Sequence, residues 1–339
     1  MRQLIRNLRQ GVFFISGLVK YWLTRKNSPR THMAMVYFFC RSGGRFNEWC
    51  LNWLRRFSTP LPLADKSGIL GDMSGTGGQL ALKQLQEKGY VVFERALGQD
   101  ACDRLLSFAM NTPAIVRPMD GESKEGAPRV ALFSSDQPLA IRYDYTTADL
   151  LANKDVQALL ADASLLALAE AYLGVRPCAD VLSMWWHTHF HDRPDSEAAQ
   201  MYHFDLDRLK WLKIFIYLTD VGPEDGPHSF IEGSHALNGI PRSFLERGYV
   251  RLNDEEVLAE FGKAREKVFA APRGTIIVED TRGLHKGAVA SKNPRLMLQL
   301  QLSASLFGTS YPKASLPQER ISALNTMIKL MPDVYEAYL

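Results

Sequence analysis

The chain has 339 residues, of which 46% are hydrophobic and 23% are charged, a composition typical of globular proteins. This length is enough for one large domain with appendages or for two small domains. The net charge of +3 favours no class of partner, but the charge is unevenly distributed. Residues 1–60 contain eleven basic residues and one acidic residue, whereas acidic residues outnumber basic ones over residues 61–339. The basic character therefore belongs to the N-terminal segment.

Four cysteines occur along the chain: Cys40, Cys50, Cys102 and Cys178. None forms a C-x-x-C pair, and a chain of this size does not need disulfide bonds to fold, so we interpret them as reduced thiols of a cytoplasmic protein. The short apolar run at residues 11–19 ends at Lys20 without a clear cleavage site, which does not fit a secretory signal. No run of about twenty apolar residues is evident, so we expect no membrane-spanning helix.

Residues 1–60 are predicted to form a basic, aromatic segment with helices. Its apolar side chains recur at helical spacing: Leu4, Leu8, Val12, Ile15, Val19 and Trp22. A second apolar and aromatic cluster lies within residues 46–57, beside Arg55 and Arg56. Such a segment fits an interfacial element attracted to anionic lipid, but it also fits helices docked on the body or a poorly ordered extension. The sequence therefore leaves open a peripheral membrane contact through residues 1–60.

The rest of the chain is predicted to consist of a linker, one folded domain and a helical C-terminus. The boundaries are 61–77 for the Pro- and Gly-rich linker, 78–310 for the domain, about 239–268 for an insertion within it, and 311–339 for the C-terminal helices. Helices are also predicted at residues 80–88, 100–110, 155–173 and 254–267. Gly174 is expected to end the helix before it, because glycine readily adopts the left-handed conformation found after helices.

Short apolar runs separated by Gly, Pro and Asn turn signals dominate the domain. Strands are predicted at residues 90–94, 130–133, 140–143, 181–189, 200–205, 211–219, 228–232, 275–279, 284–289 and 295–303. Many short strands with this spacing are typical of a double-sheet barrel or jelly roll. The sequence therefore predicts a mainly β domain with flanking helices.

One stretch and its downstream complement carry most of the chemistry. His203 and Asp205 are two positions apart on a predicted extended segment, so their side chains point to the same side. His285 lies far downstream of His203, and Arg295 follows ten positions after His285. Two histidines and one carboxylate, with other positions open, form the metal site of non-haem Fe(II) oxygenases. The planar guanidinium of Arg295 can clamp a carboxylate, such as that of a 2-oxoglutarate co-substrate.

The context of these residues resembles a known family. The matching stretches are His203-Phe204-Asp205, residues 213–221, Asp225-Gly226-Pro227, Gly233-Ser234-His235, and Asp280, His285 and Gly287 ahead of Arg295. In this order they resemble the phytanoyl-CoA dioxygenase-like family of Fe(II)- and 2-oxoglutarate-dependent oxygenases. The resemblance covers roughly residues 78–310 and leaves residues 1–77 unexplained.

This resemblance implies a double-stranded β-helix, the cupin-type jelly roll, with Fe(II), 2-oxoglutarate and O2 as cofactor and co-substrates. It implies that His203, Asp205 and His285 bind the iron and that Arg295 binds the distal carboxylate of 2-oxoglutarate. Gln200 resembles a position that lines the co-substrate pocket in some members. Related halogenases lack the carboxylate at the position of Asp205, so its presence favours hydroxylation. The expected substrate is a small or lipid-like molecule with an aliphatic C–H bond, whose identity the sequence does not indicate.

The chain departs from the family pattern at three positions in this region. Glu232 precedes Gly233-Ser234-His235 where the family often has Pro. His228 stands where the family often has an apolar residue, and it is expected to alter the rim of the pocket. Gly287 stands where some members have a Ser or Thr that assists co-substrate binding, so a second anchor must come from elsewhere. Lys213, which alternates with aromatic residues on a predicted strand, is interpreted either as the partner of an anion or as a solvated lysine.

Two other functions remain compatible with the sequence. One is a non-catalytic jelly-roll binding protein of the same family, which the intact set of four site residues disfavours. The other is a metal-dependent hydrolase, because His187, His189 and His191 fall on one face of an extended segment and could bind zinc. No phosphate-binding loop or nucleic-acid module is recognised, so no nucleic-acid partner is expected. The oligomeric state is not indicated.

Overall fold

The computed structural model describes residues 1–117, 127–191, 193–196 and 198–339. The α-helices of this part are α1 Arg2–Thr24, α2 Pro29–Ser42, α3 Arg45–Arg55, α4 Thr76–Lys88, α5 Gln99–Asn111, α6 Thr147–Ala152, α7 Lys154–Leu160, α8 Ala163–Leu173, α9 Arg242–Leu245, α10 Asp254–Phe261 and α11 Ser322–Leu330. Single 3₁₀ turns follow at Lys263–Arg265 and Pro332–Tyr335. The predicted helical character of the N-terminal segment and of the C-terminus is thus confirmed.

The strands of the described residues form two main antiparallel ladders. They are β1 Ser67–Gly68, β2 Gly71–Asp72, β3 Tyr90–Phe93, β4 Ala114–Val116, β5 Val130–Ala131, β6 Arg142–Asp144, β7 Cys178–His187, β8 Trp211–Tyr217, β9 His228–Ile231, β10 Glu266–Phe269, β11 Ile276–Glu279, β12 His285–Gly287 and β13 Arg295–Ser303. The large sheet has the order β3-β11-β8-β13-β7-β6-β4-β5, and the small sheet has the order β10-β9-β12. A separate small hairpin joins β1 and β2.

These two sheets give the double-stranded β-helix that the family resemblance implied. Aromatic and apolar side chains from both sheets, among them Tyr90, Phe215 and Phe230, form one buried cluster. The helices cover the other side of the large sheet, where a larger core contains the leucines of α7 and α8. In the described part of the chain the ladders do not close into a barrel. The domain is therefore mainly β with flanking helices, as predicted.

The period-two alternation of the long strands separates an apolar side from a polar side. On β13, Leu296, Leu298 and Leu300 belong to the core between sheet and helices, whereas Arg295 and Met297 line an interior cavity. The strands β7 and β8 show the same alternation, because successive side chains of a strand point to opposite faces. Polar residues of three adjacent strands are thereby collected inside the jelly roll.

The N-terminal helices pack on the body, so the expected docked arrangement is observed. The ring of Phe14 in α1 contacts that of Phe307 with centroids 5.5 Å apart. The ring of Phe39 in α2 lies 6.2 Å from that of Phe204, next to the predicted metal ligands. The side-chain amide of Asn47 in α3 donates to the Leu209 carbonyl oxygen at 3.2 Å.

Several boundaries differ from prediction for identifiable local reasons. The predicted linker packs on the body, with Leu61 and Leu70 buried. The helix predicted over 155–173 is divided in two, because the Asp162 side chain accepts from the backbone N–H of Leu165 and begins α8 there. Gly174 ends α8 in the left-handed conformation, as predicted. Part of the insertion predicted to be helical forms β10, which pairs with β9.

The expectation that no stretch is long and apolar enough to cross a membrane was wrong. Among the described residues, Lys154–Leu173 passes that test by length and composition. However, 72% of its apolar window is buried inside the fold, and core helices pass the same test. The stretch supports the large sheet from its helical side.

Replacing Leu298 with alanine should destabilise the fold, because this side chain is completely buried in the core between β13 and the helices. We expect the free energy of unfolding to fall by about 2–5 kcal/mol in denaturant titrations. The matched control is Leu80→Ala, since Leu80 is 62% exposed on α4. An equal loss in both variants would contradict the assignment of the core.

Candidate functional site

The structure brings His203, Asp205 and His285 together, with their potential ligand atoms all within 4.8 Å of one another. The Nε2 atom of His203 lies 3.8 Å from Oδ1 of Asp205, and the Nε2 atom of His285 lies 3.4 Å from Oδ2. All three side chains are buried. Within the described ranges of the chain, no other group of three His, Cys, Asp or Glu residues is so arranged.

Backbone pairing between two segments that are distant in sequence holds the three residues in place. The backbone N–H of His203 donates to the His285 carbonyl oxygen at 3.0 Å, and the reciprocal bond measures 2.9 Å. The backbone N–H of Asp205 donates to the Thr281 carbonyl oxygen at 2.8 Å. The prediction of a regular strand over 200–205 was wrong, since only isolated bridges occur there. The local pairing nevertheless presents His203 and Asp205 on the same side.

Hydrogen bonds fix the tautomer of both histidines. The Nδ1 atom of His203 lies 2.9 Å from the Met201 carbonyl oxygen, and that of His285 lies 3.0 Å from the Gly283 carbonyl oxygen. A carbonyl oxygen only accepts, so each Nδ1 carries the proton and donates it. The lone pair of each Nε2 therefore faces Asp205, which is the arrangement that metal-binding histidines adopt.

The charge states in the cluster also suit metal binding. Burial lowers the pKa of His203 well below its usual range, and the neighbouring His285 adds to this effect. Burial alone would raise the pKa of Asp205, but the charge of Lys213, followed by that of His285, holds this pKa well below its usual range. A neutral imidazole and an ionised carboxylate are the protonation states that a metal ion requires of its ligands.

Lys213 is a functional neighbour whose partner the sequence did not identify. It is buried on β8, and its Nζ donates to Oδ2 of Asp205 at 2.6 Å. The solvated-lysine interpretation was therefore wrong, and the anion it contacts is the carboxylate of Asp205. Because Lys213 occupies Oδ2, the other oxygen of Asp205 is the one left for a metal.

The three residues share a cavity of about 400 Å³ with Arg295. Arg295 lies at the start of β13 and is only 1% exposed. Its Nη1 donates to the Gly226 carbonyl oxygen, and its Nη2 donates to Nδ1 of His187 at 2.6 Å. Among the described residues, no carboxylate forms an ion pair with Arg295. A buried guanidinium without a counter-ion is costly, so this corner of the cavity favours a carboxylate ligand.

His187 completes that corner and was not identified as part of it from the sequence. It pairs in register with Arg295 across β7 and β13. Burial, followed by the charge of Arg295, lowers the pKa of His187 well below its usual range, so the ring is neutral. Since its Nδ1 accepts from Arg295, its Nε2 carries the proton, and this buried atom has no hydrogen-bond partner.

Gly287 explains how the two side chains fit together. A Cβ atom at this position would lie 3.2 Å from Nη2 of Arg295 and 3.4 Å from Cε1 of His187. A Ser or Thr here would crowd the Arg295–His187 pair. Gly287, which lacks the hydroxyl that some family members have here, therefore leaves room for the Arg295–His187 pair.

Gln200 is buried next to this region but points elsewhere. Its Oε1 accepts from the backbone N–H of Asp195 at 3.0 Å, while its Nε2 is buried without a hydrogen-bond partner. In the described part of the chain, the residues that line the cavity include Ala199 but not Gln200. A role of Gln200 in co-substrate binding stays a prediction.

His228 lines the cavity, whereas the sequence predicted a position at the rim. Its ring centroid is 5.7 Å from that of His285, and its Nε2 lies 3.0 Å from Oε2 of Glu279. Burial raises the pKa of Glu279 to about 8 and lowers that of His228 well below its usual range. At neutral pH the pair is therefore uncharged, which limits the charge buried next to the His203, Asp205 and His285 cluster.

The proposed zinc cluster of the hydrolase alternative does not form. His187 is buried and bonded to Arg295, as described above. His189 is exposed, and the half-buried His191 accepts from the backbone N–H of Arg193 at 2.9 Å. The alternation that was expected to gather these side chains ends at His187, where β7 ends.

The His203, Asp205 and His285 donor set fits a divalent iron ion. Two ligands bound at about 2.1 Å on neighbouring octahedral positions lie about 3 Å apart. Nε2 of His203 and Oδ1 of Asp205 are 3.8 Å apart, and the ligand atoms of all three residues lie within 4.8 Å of one another, so a contraction of the cluster would bring them to that spacing. The unpaired Nε2 of His187 and the unpaired Nε of Arg295 fit the carboxylate end of 2-oxoglutarate. The residues present thus fit both groups.

A comparison with protein families matches the phytanoyl-CoA dioxygenase family over residues 85–256, about half of the chain. The matched range includes His203 and Asp205 and ends before His285 and Arg295. No curated protein sequence matches the chain.

Among solved structures, the chain is similar to EctD from S. alaskensis, with 21% identity, a TM-score of 0.47, and coverage of 78% of this chain and 95% of that chain. It is similar to the α-ketoglutarate-dependent epimerase SnoN from nogalamycin biosynthesis, with 17% identity, a TM-score of 0.45, and coverage of 67% and 83%. It is also similar to HygX from Streptomyces hygroscopicus, solved with nickel and 2-oxoglutarate, with 18% identity, a TM-score of 0.43, and coverage of 68% and 88%. These identities and TM-scores are too low to support an argument, so the assignment of the chain to a family depends on the match over residues 85–256.

Removing one ligand should abolish tight metal binding. We expect His203→Ala to bind Fe(II) at least about tenfold more weakly than the wild type in anaerobic equilibrium dialysis, because loss of even outer contacts costs that much. The control is His189→Ala, which removes an exposed histidine outside the cluster. Unchanged affinity in the His203 variant would refute its assignment as a ligand.

The buried Glu279 should make the stability of the metal-free protein depend on pH. Its pKa is about 8 when folded and about 4.3 when unfolded, so its contribution is fully present below about pH 4.3 and is lost as the pH rises through 8. Glu279→Gln removes this titration. The stability of the wild type relative to the variant should therefore fall by about 2–5 kcal/mol between pH 5 and pH 9 in denaturant titrations.

The control for this comparison is Glu224→Gln, in which the replaced carboxylate is 69% exposed in its side chain. Its stability profile should run parallel to that of the wild type. Parallel profiles for Glu279→Gln as well would mean that Glu279 is ionised in the folded protein.

Proposed function

The chain belongs to the phytanoyl-CoA dioxygenase family of non-haem iron, 2-oxoglutarate-dependent oxygenases, and from this we propose that it hydroxylates an aliphatic C–H bond of a small or lipid-like molecule. The co-products are succinate and CO2. The observation that carries the proposal is the presence of two complementary sites in one cavity. A His-Asp-His cluster lies on one side, and a buried guanidinium without a counter-ion lies on the other.

In this proposal His203, Asp205 and His285 hold the iron from one side. The Nδ1 bonds of the two histidines keep both Nε2 lone pairs directed at the metal. Lys213 holds one oxygen of Asp205, so the other oxygen is the donor that would hold the iron. Three protein ligands leave the remaining positions open for 2-oxoglutarate and O2.

Arg295 binds the distal carboxylate of 2-oxoglutarate, and His187 donates a second hydrogen bond through Nε2. Both groups are held before the co-substrate arrives, because Arg295 is also bonded to the Gly226 carbonyl oxygen. This preorganisation reduces the ordering cost of binding. When bound, iron with 2-oxoglutarate and O2 supplies the oxidation chemistry, while the protein positions the reactants and shields them from water.

The carboxylate of Asp205 supports hydroxylation in preference to halogenation, because it occupies the position that halogenases leave open for a halide. The rest of the cavity wall combines aromatic and basic residues. Trp185 is stacked under Arg142, whose guanidinium carbon lies 4.6 Å from the ring centroid, and Arg251 and Tyr249 also line the cavity. Such a lining suits a substrate that has an apolar body and an anionic group.

A direct test combines spectroscopy with product analysis. Anaerobic addition of Fe(II) and 2-oxoglutarate to the wild type should give a weak visible charge-transfer band, and admission of O2 should release succinate. A screen of small and lipid-like substrates by succinate release then identifies the substrate class. If the charge-transfer band is absent and no succinate forms on admission of O2, the oxygenase proposal is overturned, and a non-catalytic binding protein is favoured instead.

Within that assay, Arg295→Leu should raise the 2-oxoglutarate concentration needed for half-saturation at least about 30-fold, since losing one partner of a buried ion pair costs about 2 kcal/mol or more. Fe(II) affinity should stay unchanged, because Arg295 is not a metal ligand. Arg104→Leu is the control, since Arg104 is exposed on α5. Equal saturation behaviour in all three proteins would exclude Arg295 as the carboxylate partner.

A further inference from the structure

The outer face of α1 is apolar although it lies open to solvent. Six residues that recur at helical spacing are between 53% and 74% exposed: Leu4, Leu8, Val12, Ile15, Val19 and Trp22. A helix on the surface of a globular protein normally presents polar residues on this side. Contiguous exposed apolar surface of this kind marks a contact with a partner or a membrane.

This face is not the one with which the helix docks on the body. The opposite face carries the buried Phe14, Gly17 and Tyr21. At Gly17 the two helices α1 and α2 approach closely, because a Cβ atom there would lie 1.8 Å from Oγ1 of Thr31. The inner face is thus already packed, and the outer apolar face is left over after packing is complete.

The third helix and the turn after it carry a second set of exposed apolar side chains. Trp49, Trp53 and Phe57 recur at every fourth position, and they are 65%, 51% and 69% exposed. The ring of Phe46 connects the helices, since it lies 4.8 Å from that of Phe14 in α1 and 6.2 Å from that of Trp49. Tryptophan is enriched where proteins meet the headgroup region of a bilayer.

Within the segment the exposed charges are basic, and one of them, Arg25, pairs with Glu336 of the C-terminus at 3.5 Å. Most basic side chains described in the segment are exposed, namely Arg6, Arg9, Lys20, Arg25, Lys26, Arg30, Arg41, Arg45 and Arg56. The acidic residue of the segment, Glu48, is turned toward the body, where it contacts Lys210 at 3.5 Å and Arg282 at 3.3 Å. The segment therefore combines an exposed apolar helix face with exposed positive charge, a combination that complements a layer of anionic headgroups.

The same helices also border a groove that neighbours the cavity of the candidate site. A groove of about 510 Å³ lies between α1, α2 and the body, and Met33, Val36 and Leu245 contribute apolar lining to it. Tyr249 lines both this groove and the cavity that contains the metal ligands.

We infer that α1 docks this protein on the surface of an anionic bilayer, with its outer apolar face inserted among the headgroups. A second copy of the chain is the competing occupant. Two such faces would bring together two strongly basic surfaces, whose like charges repel. An anionic bilayer satisfies both the apolar area and the charge. The docking does not depend on the proposed reaction.

Vesicle flotation of the full chain tests this inference. The wild type should float with vesicles of phosphatidylcholine and phosphatidylglycerol in a 7:3 ratio and should bind vesicles of pure phosphatidylcholine at least tenfold more weakly. Leu8→Glu/Val12→Glu places two charges on the outer face of α1 and should reduce binding to the anionic vesicles at least tenfold. The matched control Leu80→Glu/Leu132→Glu alters exposed apolar residues of the body and should bind like the wild type.

Light scattering without vesicles and the denaturation midpoint of each variant complete the experiment. Equal midpoints would show that the Leu8/Val12 variant is folded, so that a loss of flotation reports on the docking face. If the wild type fails to float, or if the Leu8/Val12 variant floats equally well, the inference is overturned. A wild-type dimer that the Leu8/Val12 substitutions convert to a monomer would assign the face to a second copy instead.

Discussion

The short antiparallel pairing between His203 and His285 is the constraint on which the site depends. Two backbone hydrogen bonds join segments that are far apart in sequence, and they set the distance between the two histidines. The adjacent bond from Asp205 to Thr281 fixes the carboxylate in the same frame. Because these contacts are made by the backbone, the ligand geometry is stabilised by the pairing itself and does not require a metal ion to assemble it.

Around this pairing the fold buries several charged and titratable groups without leaving them all charged. Lys213 neutralises Asp205, and the His228–Glu279 pair is uncharged at neutral pH because burial moves both pKa values in the direction of the neutral form. Arg295 differs from these groups, since it is bonded to a neutral histidine and a carbonyl oxygen. This cation, which no described carboxylate pairs with, is thus located where a dicarboxylate co-substrate would bind.

The N-terminal helices carry apolar side chains on both their inner and their outer faces. Their inner faces contribute to the cores under the body, through Phe14, Phe39 and Leu51. Their outer faces retain apolar and basic side chains that no described residue covers. The segment thus has apolar side chains on two sides. The inner side contacts the body, where Phe39 lies against Phe204 between His203 and Asp205, and the outer side is exposed.

The sequence by itself determined the jelly-roll class, the ends of several helices and the identity of the three clustered residues. These are features of the sequence itself, namely strand patterns, capping residues and the ordered motif from His203 to Arg295, so they can be recognised without the structure. Only the tertiary structure decided the roles of Lys213, His187 and His228, because each depends on which strand lies beside which and on the register between them. It also decided that the apolar stripe of α1 faces outward. Helical spacing identifies a stripe, but only packing shows which side of the helix the body occupies.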